Sequence, residues 1–216
     1  MKARSNISST KGWLLFTVLV LVLPITAFAA FKWYENKWAA LPYWGEGYTI
    51  ATNGAHYSVP AFSFIDQNGK ILDTSVVRNK VWVVHYFFAT CPSICPKMIG
   101  NIERVQKAFK ERTDFRILSL TVDPEHDSCI VLHHYASERS IDTRQWLFGT
   151  GDKTALYRFA RKGLFVVATD GDGGPDDFIH SDKLVLVDRQ MHIRGYYDAT
   201  ELSEISQLIN DIRQLL

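Results

Sequence analysis

A strand that ends on two cysteines and hands over to a helix governs what this chain can become. Val81 to Ala89 is a run of apolar, β-branched and aromatic residues that suits a strand buried on both faces. Cys91 and Cys95 follow at once. Pro96 then opens a helix on which Met98, Ile102, Val105 and Phe109 recur at helical spacing. That order sets both sulfurs at the carboxyl end of a sheet, beside a helix N-terminus whose N–H groups and dipole favour thiolate. The pair is therefore placed to react or to hold a soft metal.

The stretch after the helix extends the same pattern. Phe115 to Val122 reads as a second buried strand and ends at Asp123-Pro124-Glu125, so strand, helix and strand form a βαβ unit with parallel pairing. A helix is expected over 127–139, a short strand over Gln145 to Phe148, and a helix from Asp152 to Lys162 with Asp152 as N-cap. Leu164 to Ala168 leads into a Gly- and Asp-rich loop. Beyond it, Lys183 to Asp188 and His192 to Tyr197 read as an antiparallel hairpin turned at Arg189-Gln190. A last helix, about 203–215, gathers Leu202, Ile205, Leu208, Ile209 and Ile212 on one face. Upstream, Ala61 to Asp66 and Ile71 to Asp73 flank Asn68-Gly69, a hairpin signal because both residues tolerate positive φ. The order defines an α/β, thioredoxin-like fold with an N-terminal β-hairpin ahead of the main sheet.

The N-terminus is of another kind. Lys2, Arg4 and Lys11 precede an uncharged stretch from Gly12 to Phe31, and about 20 apolar residues are what a helix needs to cross a bilayer. The positive flank keeps residues 1–11 in the cytoplasm, makes 12–31 a single transmembrane helix, and sends the rest to the periplasmic or extracellular side. A cleaved signal peptide is the alternative, since Ala27-Phe28-Ala29 resembles a small-x-small cleavage site. The length of the run and the interfacial Lys32, Trp33 and Trp38 favour a retained anchor. Residues 32–58 lack a sustained period and read as a linker to a domain at 59–216. With a formal net charge of +1 and Lys and Arg interleaved with Asp and Glu, no basic stripe exists for nucleic acid.

Three cysteines exclude a disulfide scaffold and leave one pair and one single. Cys91 and Cys95 are one residue further apart than the Cys-x-x-Cys of ordinary thiol oxidoreductases. Two thiolates at this spacing can converge on a metal ion or close a disulfide, and a structural disulfide or a pair of buried core cysteines is the plain alternative.

The run Phe88-Ala89-Thr90-Cys91-Pro92-Ser93-Ile94-Cys95-Pro96, together with Thr121 to Asp127, Trp146 to Gly151 and Asp177-Phe178-Ile179-His180-Ser181, resembles the Sco/SenC family from about Pro60 to the C-terminus. The Cys-x-x-x-Cys-Pro run joined to a Val-Asp-Pro-Glu element is specific, whereas either alone is weak. The resemblance implies a thioredoxin fold that binds one copper, as Cu(I) with Cu(II) as a further state, through Cys91, Cys95 and His180. It also implies a metallochaperone that assists assembly of the dinuclear copper centre of cytochrome c oxidase. Its partners would then be the copper-binding subunit of the oxidase, a copper donor protein and the membrane. Two thiolates and an imidazole suit soft Cu(I) and not Mg²⁺ or Ca²⁺. In the family His126 is commonly arginine, a departure that bears on partner docking or is neutral.

Other residues have plainer readings. From spacing alone His180 is one of seven histidines, and a lone histidine ahead of a strand is more often a surface or capping residue. His133 and His134 read as solvent-facing, His85 as part of the buried strand and His192 as part of the hairpin. Met98 reads as core and Cys129 as a small buried hydrophobe. Thr169 to Asp177 lacks the closing glutamate of a calcium loop and reads as a solvated hinge for His180. Asp123 is a candidate support for the cysteine loop from the neighbouring strand end. The chief rival function is a thiol–disulfide reductase with Cys91 and Cys95 as its redox pair, keeping oxidase cysteines reduced. A redox or copper sensor would use the same site. A peroxiredoxin is disfavoured by the absence of a Pro-x-x-x-Thr-x-x-Cys run ahead of Cys91.

Overall fold

The computed structural model describes residues 7–38, 40–45, 56–92, 94–170 and 178–216. It separates into two compact units, Met1–Ala40 and Leu41–Leu216. The first holds one helix, α1 (Ile7–Trp38), 32 residues long with Pro24 inside it. The hydroxyls of Thr17 and Thr26 donate back to the carbonyls of Trp13 and Val22 at 2.8 and 2.9 Å, so both are satisfied within the helix. Phe16 and Val18 to Leu23 stand on its surface. Among the described residues no helix is long and apolar enough to cross a membrane.

The second unit is built on β3 (Val81–Phe87), buried at every residue. It pairs in parallel with β4 (Phe115–Thr121) from Val81 against Phe115 to Phe87 against Thr121, and α2 (Ile94–Ala108) makes the crossover. β5 (Trp146–Thr150) lies parallel on the far side of β4. β8 (Lys183–Val187) runs antiparallel to β3, and β9 (Ile193–Asp198) antiparallel to β8. The expected βαβ unit and late hairpin are both present.

The N-terminal hairpin departs from expectation in two ways. β1 (Ser63–Asp66) pairs not only with β2 (Ile71–Asp73) but also with β5, Ile65 facing Thr150. The ribbon is therefore the edge of one seven-stranded sheet, ordered β2-β1-β5-β4-β3-β8-β9. Burial drives this, because Phe64 and Leu72 share a covered face while Ile65 and Ile71 remain exposed. Close approach is needed too, since a Cβ on Gly149 would stand 2.7 Å from side-chain carbons of Leu72 and Leu120. In the turn, only Gly69 takes positive φ, at 74°. The Asp66 carboxylate accepts the N–H groups of Asn68 and Lys70, both at 2.8 Å, and so makes the bend that Asn68 was expected to make.

Helices cover the sheet: α3 (Cys129–Glu138) packs near β5, and α5 (Leu202–Leu215) lies against α2 and β9. α4 (Lys153–Arg158) begins at Asp152, whose carboxylate accepts the Ala155 N–H at 2.7 Å as expected of an N-cap, and continues as a π-helical turn, Phe159–Gly163. On α5, Ile205, Leu208 and Ile212 are buried, but Leu202 is 56% exposed, because the helix begins there in an exposed stretch, 201–204.

Residues 41–45 and 56–59, within the stretch expected as a linker, lie on the β8–β9 end of the sheet. Trp44 bridges to Ile193 and Ser58 to His192. The buried Arg194 guanidinium donates to the carbonyls of Leu41 and Pro42 and to Asp188, and it stacks on Tyr43 at 4.1 Å. β8 ends at Val187 beside Trp82, near the start of β3, so this strap sits at the end of the sheet opposite the cysteines. Two further strands, β6 (Ala168–Asp170) and β7 (Phe178–His180), form a separate antiparallel pair. The Gly- and Asp-rich residues 171–177 between them, read as a hinge, fall outside the described residues.

Candidate metal centre

β3 delivers the chain to the cysteine loop and α2 takes it away, so Cys91 and Cys95 sit at the carboxyl edge of the parallel pair. Cys95 lies in the first turn of α2, where Pro96 costs no intrahelical bond. All three cysteines are thiols rather than disulfides. A side-chain hydrogen bond links Cys95 and Cys91, so the two sulfurs adjoin.

The expected thiolate character is not what the fold provides at Cys95. Its residue is 1% exposed, and burial pushes the thiol up to about 12, helped by the bond to Cys91 and by the charges of Cys91 and Asp127. A backbone hydrogen bond at Phe88 opposes the shift and loses to it. Desolvation outweighs the helix N-terminus because the loop folds inward, with Cys91 itself only 8% exposed.

Asp123, expected to support the cysteine loop, makes its closest described side-chain contact with His126. Its carboxylate takes the Nδ1 side of His126 at 2.9 Å, while the His126 ring is largely exposed. The carboxylate that reaches the loop is Asp127, fully buried, which accepts the Ala89 N–H at 3.1 Å and the Thr121 hydroxyl at 2.5 Å. Burial pushes the Asp127 carboxyl up, and these two bonds partly offset that. Tyr135 of α3 is a second neighbour unforeseen from sequence. Burial, with smaller pushes from both cysteines, raises its phenol to about 12, and the Arg139 guanidinium lies 3.7 Å over its ring. Asp127 stands in the Thr121 to Asp127 run, where a carboxylate just past a proline turn is a signal that could have been taken. Tyr135 has none beyond its apolar face.

The backbone of His180 ends β7 and pairs with Ala168. β8 starts three residues later and faces β3 with Val185 against Val84, so the hairpin arrives at the same end of the sheet as the cysteines. The side chain of His180 lies outside the described residues. Among those described, no three His, Cys, Asp or Glu side chains gather as a metal site.

The remaining candidates separate cleanly. Met98 is fully buried in the core, as expected. His85 is buried and meets the Ser119 hydroxyl at 2.5 Å. His133 and His134 are exposed, and His192 is beside Asp188 at 3.5 Å. Cys129 is half-exposed rather than buried, because it opens α3 just after the Ser128 cap and precedes the helix's covered face.

The sheet order, the parallel β3–α2–β4 unit and the adjoining thiols at its carboxyl edge define a thioredoxin-like protein with a dithiol loop. A family model described as SCO1/SenC matches residues 50–216. The chain belongs to the SCO1/SenC family. It is 29% identical over 160 residues to the SCO1 protein homolog of Bacillus subtilis, covering 73% of this chain and 82% of that one. It is similar in structure to BsSco, described as a Sco-family cytochrome c oxidase assembly protein with a disulfide switch. That TM-score is 0.65 at 29% identity, over 74% of this chain and 93% of that one. Bradyrhizobium japonicum ScoI, solved with copper bound, matches at a TM-score of 0.63 and 21% identity over 74% of this chain and 100% of that one. That last likeness speaks for the fold.

Proposed function

We propose that this chain is a membrane-tethered copper chaperone. Cys91, Cys95 and His180 hold one copper ion, received from a donor protein and passed to the dinuclear copper centre of cytochrome c oxidase. The observation that carries the reading is the pair of adjoining thiols at the end of β3, with a hairpin that ends on His180 at the same end of the sheet. Two thiolates and one imidazole are a soft set of the kind Cu(I) prefers. Three protein ligands leave an open side through which the ion can leave. Residues 12–31 are the anchor, with 1–11 in the cytoplasm and the 59–216 domain on the other side after the 32–58 linker. The uncharged run behind Lys2, Arg4 and Lys11 supports this part.

The test is Cu(I) titration of the reduced 41–216 domain against a competing chelator, in the unmodified protein and in His180→Ala. One tightly held copper per chain, much weakened in the variant, is the expected result. Equal binding in both removes His180 from the site. Full-length chain that alkaline carbonate washes out of membranes removes the anchor.

A second reading, a thiol–disulfide reductase acting on oxidase cysteines, is favoured by the direct contact between the Cys95 and Cys91 sulfurs. It needs both thiols but not His180. A His180→Ala protein with unchanged reduction potential and full reductase activity would support it.

A further inference from the structure

Between residues 60–64, which lead into β1, and the end of α4 with its π-helical turn lies a groove of about 280 Å³. Its floor is made by three aromatic rings that are each only 5–7% exposed. The Phe62 ring centre is 5.7 Å from that of Phe64 and 5.0 Å from that of Phe159, and Phe64 and Phe159 are 5.6 Å apart. Pro60 closes one end, where a Cβ on Gly163 would meet the Phe159 ring at 2.8 Å and Pro60 at 3.3 Å. One wall is cationic, made by Arg158 and Lys162 one helical turn apart. A second open space of about 480 Å³ continues from these two under Arg161 and Thr154.

The three cations are exposed, and among the described residues no carboxylate forms an ion pair with any of them. The nearby Lys153 differs, since it faces Glu125 at 3.6 Å. An aromatic cleft beside unpaired cations is chemistry for an amphiphilic anion. An inorganic anion would leave the phenyl floor unused. A peptide strand would find little backbone to pair with in the groove, because β1 is already paired with β2 over Ser63 to Ile65 and with β5 at Ile65 and Asp66. The groove also adjoins the strap by which the chain enters the domain: the Tyr57 hydroxyl donates to the carbonyls of Lys162 and Gly163 at 2.9 and 3.0 Å.

We propose that this groove binds an anionic phospholipid, an acyl segment lying on Phe62, Phe64 and Phe159 and the phosphate facing Arg158 and Lys162. The choice of a lipid rests on the anchored part of the proposed function and not on the copper site. Bilayer phosphates attract clustered Lys and Arg at short range, and salt screens the attraction.

The 41–216 domain can be tested alone, since every described residue of the buried hydrophobic core lies within it. Flotation with phosphatidylcholine vesicles, with and without phosphatidylglycerol, is expected to show binding only to the anionic ones, lost at high salt and not displaced by inorganic phosphate. Arg158→Glu/Lys162→Glu is expected to weaken binding at least tenfold. Lys107→Glu/Lys110→Glu on and beyond α2, an equal change of net charge elsewhere, is expected to leave it unchanged. Arg158→Gln/Lys162→Gln gives the same reading if charge reversal harms folding, which thermal melting checks. Equal loss in both charge-reversal pairs means attraction by net charge alone and overturns the site. Binding to neutral vesicles, displacement by phosphate, or capture of an acidic peptide in place of vesicles overturns it as well. A full chain that resists carbonate extraction while the domain ignores vesicles leaves the anchor standing and removes only the lipid site.

Discussion

The Asp127 carboxylate accepts the backbone N–H of Ala89, two residues ahead of Cys91, at 3.1 Å, while the Thr121 hydroxyl donates to the same oxygen at 2.5 Å. One buried side chain thus ties the end of β4 to the root of the cysteine loop.

Removing that tie is expected to be felt at both levels. Asp127→Ala takes the acceptor from a part-buried N–H and a buried hydroxyl, at about 1–3 kcal/mol for a fully buried group, so urea denaturation should show a drop of about 2–4 kcal/mol. Copper affinity should fall with it, because the loop loses its fixed root. Asp127→Asn can set its amide oxygen where the shared carboxylate oxygen stood, accepting from both Ala89 and Thr121, and should recover most of both. A Cys91–Cys95 site that binds copper as tightly in Asp127→Ala as in the unmodified protein would show that the tie does not position the loop.

The centre of the sheet holds a second buried polar group of this kind. The Ser119 hydroxyl meets His85 Nε2 at 2.5 Å and accepts the Trp146 Nε1–H at 2.7 Å, across three neighbouring strands. Ser119→Ala takes the shared oxygen from both rings, and at about 1–3 kcal/mol for each group affected the loss should be about 2–6 kcal/mol. Chemical denaturation measures it. A change under about 0.5 kcal/mol, typical of surface sites, would mean that water replaces the hydroxyl.

The elements that carry the site were legible because their signals are local. An unbroken apolar run from Val81, a proline after two cysteines and a 3.6-residue repeat through Phe109 need no knowledge of distant residues. What periodicity could not convey was pairing. Nothing around Ile65 announces Thr150 as its neighbour, so the ribbon's place at the sheet edge came only with the structure. The same holds for the site. A helix N-terminus is visible in sequence and argues for thiolate, whereas the burial of Cys95 is a sum over β3, α2 and α3 and reverses the conclusion. Asp123 and Asp127 differ by one helical turn, and which of them faces the loop depends on a turn geometry that composition does not encode.

Alkaline pH should destabilise the domain. The Tyr197 hydroxyl donates to Asp211 at 2.6 Å, and burial, then that bond, raises the phenol above its ordinary value; burial does the same for Tyr86. The folded protein therefore holds these protons more tightly than the unfolded chain. The stability they contribute is complete below the unfolded value of about 10 and is lost as pH rises beyond it. Tyr197→Phe should flatten this decline while lowering stability near neutrality by about 1–2 kcal/mol, because Asp211 keeps only its bond from Gln207. Thermal melts from about pH 7 to about pH 11 measure both effects.

Copper uptake should release protons. With the Cys95 thiol pushed up to about 12, Cys95 of the metal-free site is protonated at neutral pH, yet only thiolate binds the metal. Each thiol proton displaced makes the apparent affinity climb about tenfold per pH unit. Raising the pH must then strengthen binding, up to the point where the thiols ionise by themselves. Titrating Cu(I) into weakly buffered, reduced domain with an indicator dye should register at least one proton per copper. Cys95→Ser should register fewer, because its hydroxyl does not ionise in the same range. A titration with no proton release and a pH-independent affinity would mean that the pair is already thiolate in solution. Desolvation would then not govern the site, and the loop would have to open before it meets the metal.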